Sequence, residues 1–262
     1  MTTALAPAPR RIGGVAVEAE FVRRGIRHTL RNPDALITSL ALPVILLLLF
    51  VYVFGGAINT GGDYVSYVVP GIIVLCAMFG SAGTAVGVCT DKVTGVMDRF
   101  RTMPIRGAAV LVGHVVASLL RNLVATALVI GLAIAIGFRP DAGPLEWLAA
   151  IAVIVLVVLA VTWMATAAGL LAGSVESANA LGFVVMFLPY LSSAFVPVET
   201  LPSWLQGIAR HQPVTPVIET LRGLLVGTPI GHQGWWVVAW WGGLLVVSVA
   251  ASSALFRRRA GR

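Results

Sequence analysis

Six long stretches of this chain are almost free of charge, and that feature decides what it can become. They cover residues 35–56, 68–90, 108–137, 145–171, 179–195 and 235–256. A hydrocarbon layer of ~30 Å asks a helix for about 20 mostly apolar residues, which the stretches supply. The fifth is the shortest and is broken by Pro189, a break that a membrane tolerates where neighbouring helices or water satisfy the freed backbone groups. Of 262 residues, 58% are hydrophobic and only 11% charged, with a mean hydropathy of +0.93, whereas soluble domains average ~25% charged. A disordered chain, a secreted disulfide scaffold and a soluble nucleic-acid-binding domain are excluded. The predicted fold is an all-α polytopic membrane protein with six transmembrane helices.

The net charge of +7 reports topology once the cations are placed. Residues 1–34 hold Arg10, Arg11, Arg23, Arg24, Arg27 and Arg31; residues 91–107 hold Lys92, Arg99, Arg101 and Arg106; the tail 257–262 holds Arg257, Arg258, Arg259 and Arg262. With six crossings these segments share one side, and the other has Arg139, Arg210 and Arg222 alone. Cytoplasmic loops carry the excess of Arg and Lys, so both termini are predicted in the cytoplasm and no nucleic-acid partner is implied. Trp147, Trp204, Trp235 and Trp236 fall near the predicted outer boundary, as an interfacial aromatic belt does. The organisation expected is a cytoplasmic N-terminus over 1–34, a six-span domain over 35–256 and a basic tail over 257–262. Residues 1–11 contain Pro7 and Pro9 and lack an apolar run, so no cleaved signal peptide is expected.

Between about Val15 and Arg31, helical spacing sets Ala19, Val22, Ile26 and Leu30 on one arc and Glu20, Arg23, Arg24, Arg27, His28 and Arg31 on the other. Asn32-Pro33 stops this helix before the first span. A basic amphipathic helix there is an anchor in the membrane interface or a docking surface for a cytoplasmic partner, and the two roles are compatible.

Most chemistry is closed to this chain. A phosphate-binding loop needs Gly-x-x-x-x-Gly-Lys followed by Ser or Thr, but the only lysine, Lys92, lies between Asp91 and Val93. Ser81 sits in Gly80-Ser81-Ala82-Gly83, a small-residue cluster that reads as close helix packing; the histidines lie away from the middle of any span. No His pair has zinc spacing, and Cys76 and Cys89 read as apolar helix residues. No catalytic or metal-ligating residue is therefore assigned. Arg121 is the one clear charge inside a span, either snorkelling or hydrogen-bonding between helices, or serving substrate passage or gating. A proton relay has no candidate chain of residues, which leaves an ion-coupled carrier or channel as the alternative reading and an intramembrane enzyme as a remote one.

Two segments carry more information than lipid solvation requires. In 91–105, Val93, Val96, Met97 and Phe100 line one side of a short helix closed by Pro104. The stretch between the fifth and sixth spans has Pro197, Pro202, Pro213, Pro216 and Pro229, yet is apolar between them. It is predicted to form short re-entrant helices in the outer leaflet.

On these segments the chain resembles the permease subunits of type-2 ABC exporters, particularly the daunorubicin-resistance-like drug-efflux permeases. Gly95, Asp98, Arg99, Phe100, Arg101 and Pro104 match that family's stretch after the second span, and 110–114 and 119–121 resemble its third. Residues 195–204, with Pro197, Glu199, Pro202 and Trp204, then 212–216 with Pro213 and Pro216, and Arg222, resemble its segment before the last span. Val93 departs from the pattern, standing where many members carry an acidic residue. The resemblance implies a half-transporter with no cofactor of its own, ATP and Mg being bound by a separate ABC ATPase subunit. It implies that the N-terminal helix (Val22, Arg23, Ile26, Arg27, Leu30) and the segment holding Asp91, Gly95, Asp98, Arg99, Phe100, Arg101 and Pro104 contact that ATPase. It further implies pairing with a second permease subunit, itself or a paralogue, with substrate leaving between them. Phe100 is the expected anchor of the ATPase contact, Asp98 and Arg99 its register, and Gly95 a site of close backbone approach.

Overall fold

The computed structural model describes residues 33–58, 62–95 and 108–260, and within them every regular element is helical. Helix α1 spans Pro33–Leu48 and continues as a π-helical turn over Leu49–Phe54. Next come α2 (Tyr64–Val93), α3 (Ala108–Ala135) and α4 (Pro144–Leu171), then α5 (Val175–Met186) and 3-10 turns at Leu188–Leu191 and Val198–Thr200. Two short helices, α6 (Ser203–His211) and α7 (Val214–Val226), precede α8 (Gln233–Ala260). The N-terminal amphipathic helix, residues 96–107 and the last two residues lie outside the described residues.

Helices α2, α4, α8 and the 111–135 portion of α3 are long and apolar enough to cross a membrane. The apolar helix Ser39–Phe54 and the helical run Val175–Leu191 are shorter. The fifth predicted stretch, 179–195, is displaced: its helix begins at Val175 and ends at Met186. Ser174 and Ser177 explain the early start, because each backbone N–H donates to the other's hydroxyl (3.1 and 3.3 Å), the reciprocal arrangement that caps a helix N-terminus. Pro189 explains the early stop, since it brings no N–H and the chain tightens into a 3-10 turn around it.

Helix α2 is the axis. In its most apolar window 76% is buried, against 22% for α8, so this chain surrounds α2 but leaves most of the α8 surface uncovered. The middle of α2 is polar. Ser81 donates to Ala77 O and accepts from Asn122 of α3 and Thr162 of α4 (each 3.2 Å), while Thr84 donates to Ser118 of α3 (3.0 Å). A methyl group at Gly80 would overlap Asn122 Oδ1 and one at Gly169 would strike Ala85 O. Gly80 thus serves close packing, whereas a Cβ at Gly83 would meet open space among the described residues, and Ser81 is occupied in holding three helices together. Arg121 lies about 20 Å from each end of α3 at ~1.5 Å per residue, half-buried and without a hydrogen bond or ion pair to another described residue.

Candidate functional site

Two polar clusters occupy the two ends of α2, about 37 Å apart at ~1.5 Å per residue. At the Tyr64 end, α7 is inserted between long helices. Its residues Val214 to Ile218, Leu221, Arg222, Gly223 and Leu225 are buried. Trp241 of α8 donates its indole N–H to Pro213 O (2.9 Å), and Asp141 N–H donates to Leu225 O (2.9 Å). The helix stops at Gly227, whose φ of +79° is the left-handed conformation that closes a helix.

Arg222 binds this end together. Its Nη1 donates to Glu219 Oε1 (2.6 Å), and its Nη2 donates to Tyr67 O (3.1 Å) and Ser193 O (3.0 Å). The guanidinium carbon lies 3.9 Å from the Tyr67 ring centroid, within cation–π range. Tyr67 Oη donates to Ser193 O (3.1 Å) and Tyr64 Oη to Phe195 O (3.0 Å). One arginine therefore joins α7, the start of α2 and the 192–195 turn. Gly71 lets that turn come close, because a Cβ there would lie 2.7 Å from Ala194 O.

The outer residues singled out from sequence lie around this cluster. Pro197 O accepts from Thr200 Oγ1 (2.7 Å), and Pro202 O accepts the Leu205 N–H at the start of α6 (2.8 Å). Glu199 pairs at the surface with Arg210 (3.6 Å). Trp204 is 72% exposed on α6, and Pro216 is buried in the first turn of α7. Arg222 appeared in sequence only as a topology charge and a point of resemblance, and Tyr67 and Ser193 drew no attention. Their common signal was a cation placed within an apolar stretch.

At the other end of α2, Asp91 and Lys92 reach different helices. Asp91 Oδ2 lies 2.8 Å from His114 Nε2 of α3. Lys92 Nζ donates to Leu170 O (3.2 Å) and, at closer range, to Ala172 O at the end of α4. Ala85 and Cys89 pack there against Ala172 and Ala178. Gly95 closes α2 with φ +71°, and a Cβ built there meets open space among the described residues; the glycine answers to backbone conformation there. Of the other expected ATPase contacts, Asp98, Arg99, Phe100, Arg101 and Pro104, and Val22, Arg23, Ile26, Arg27 and Leu30, all lie outside the described residues.

Several apolar helices of membrane-crossing length, joined by polar contacts at their centre and ends, define a multi-pass helical membrane protein. The chain belongs to the ABC-2 type transporter family, whose sequence profile matches residues 20–226. It is 32% identical over 230 residues to a daunorubicin resistance ABC transporter permease protein of Streptomyces coeruleorubidus, covering 87% of this chain and 80% of that one. A probable doxorubicin resistance ABC transporter permease protein of Mycobacterium tuberculosis is 26% identical over 202 residues, covering 76% and 73%. A putative transport permease of Cyanophora paradoxa is 23% identical over 220 residues, covering 82% and 74%.

Proposed function

We propose that the chain is the permease subunit of an ATP-driven exporter in the plasma membrane. A separate ABC ATPase subunit binds ATP and Mg, and a second permease, this chain or a paralogue, completes the pathway. The substrate is largely apolar (a drug, a lipid or a lipid-linked molecule) and leaves the cytoplasm or the inner leaflet. Six crossings put both termini and residues 91–107 on the cytoplasmic side, where the ATPase docks on the N-terminal amphipathic helix and on Phe100. On the outer side α6 and α7 dip into the membrane and cap the exit, with Trp204 at the interface and Pro197, Glu199, Pro202, Pro213 and Pro216 shaping the cap. The observation that carries this reading is the likeness, along most of the chain, to permease proteins of drug resistance ABC transporters.

The test is ATP-dependent uptake of daunorubicin, and in parallel of fluorescent phospholipid, by inside-out vesicles holding this chain with its cognate ATPase. Phe100→Ala should leave membrane insertion intact and abolish uptake or ATPase binding, because a buried aromatic concentrates interface energy. Arg99→Lys keeps the topology charge but loses the planar fork, so a defect there marks ATPase contact. Normal uptake by both variants would reduce the segment to a topology signal. Uptake driven by an ion gradient without ATP would make the chain a coupled carrier.

A further inference from the structure

Asp91 and Lys92 are consecutive on the last turn of α2, so their side chains leave it about 100° apart. The aspartate meets His114 of α3, and the lysine crosses to the carbonyls of Leu170 and Ala172. The last four carbonyls of a helix lack intrahelical partners and carry its negative dipole end. A compact ammonium with three donors suits two such carbonyls, and Lys92 stands here in a chain whose other Lys and Arg residues are all Arg.

What Lys92 holds is a joint. Ala172 has left the helical conformation (φ −54°, ψ 136°), and α5 starts three residues later at Val175. The reciprocal Ser174–Ser177 bonds fix that start, and Ala172 and Ala178 pack on Ala85 and Cys89. On the other side of Lys92, Thr94 caps α2 and Gly95 turns the chain out of it at φ +71°. Only two residues separate the lysine from the point where the segment leading to Phe100 departs.

We propose that Lys92 is a positioning residue that fastens the last turn of α2 to the α4–α5 joint, so that displacement reaching that turn from residues 96–107 moves α5. This rests on the permease reading, in which an ATPase subunit supplies that displacement. Without the lysine, the last turn of α2 would part from the α4–α5 joint, and displacement arriving at that turn would not be passed on to α5. A helix cap alone would stabilise α4 and transmit nothing.

The experiment uses the full chain in lipid nanodiscs with its cognate ATPase, in a Cys76→Ala, Cys89→Ala background with spin labels at Thr94→Cys and Gly173→Cys. Label-to-label distances are measured nucleotide-free and after trapping with ATP and vanadate. With Lys92 present the distance should be the same in both states, because the two sites move as one body. In Lys92→Met it should shift between states by more than the width of the distribution, and Lys92→Arg should restore much of the constancy. A distance that shifts equally with Lys92 and with Met overturns the proposal. So does a Lys92→Met protein that loses thermal stability while the distance stays constant, which is the behaviour of a cap alone. Co-purification is read first: a parent chain that recruits no ATPase removes the permease reading itself, and this inference with it.

Discussion

Arg222 and Lys92 are both cations that hold backbone carbonyls, yet their settings are opposite. The Arg222 side chain is 8% exposed and its fork serves three elements of the fold at once. Lys92 is half-buried at the edge of the bundle and serves one helix end, while its neighbour Asp91 serves another. A desolvated charge that loses its partners cannot turn to water, so the Arg222 cluster holds as a unit or fails as a unit. An ammonium at the edge can exchange a carbonyl for water at small cost. The Tyr64 end of α2 is therefore held by one buried cation that serves several elements, and the opposite end by half-exposed contacts that each reach a single helix.

Three substitutions test that contrast, from the largest expected effect to the smallest. Arg222→Met leaves Glu219 half-buried without its partner and takes one donor each from the Tyr67 and Ser193 carbonyls. The cost should be about 3–5 kcal/mol, seen as a large fall in the thermal midpoint of the protein in detergent, and a midpoint equal to the parent's would show that the cap is held by other contacts. Gly71→Ala forces its methyl against the backbone of Ala194 and should cost about 1–3 kcal/mol. It should also raise the cleavage of the 192–197 turn by added protease, and unchanged cleavage would mean that the turn yields without releasing its tyrosines. His114→Asn should cost about 1 kcal/mol or less, the net worth of one part-buried side-chain hydrogen bond. A loss as large as that of Arg222→Met would erase the distinction between the two ends.

The apolar stretches were legible because helices that lie in lipid must be continuous and uncharged, and each stretch does contain a helix. Pro144, following Gly143, opens α4 where a first-turn proline belongs. The displacement of the fifth stretch has a local cause: Pro189 was visible as a break, but the short start signal at Ser174–Ser177 lies outside the apolar run. The Arg222 cluster was illegible for a different reason. Its partners Tyr67 and Ser193 stand 155 and 29 residues away, and the atoms that accept are backbone carbonyls, which any residue supplies. Lys92 shows the same limit. Its rarity excluded a phosphate-binding loop, but the carbonyls it holds lie 78 and 80 residues further on.

The hydroxyls of α2 bear on how the chain assembles as it is made. Ser81 donates to Ala77 O, Thr90 to Val86 O and Thr94 to Thr90 O, each within the helix itself. A newly inserted α2 can thus satisfy these three hydroxyls by itself, while the Thr84 hydroxyl is met only when Ser118 of α3 arrives, and in the finished molecule α2 is the most enclosed helix of the membrane-crossing set. Asn122 stands in a different position, since its amide donates to Ser81 across the helix interface as well as to Ser118. It finds Ser81 ready because α2 precedes α3 in the chain. The order of synthesis thus delivers Ser81, already bonded within its own helix, before the asparagine that leans on it.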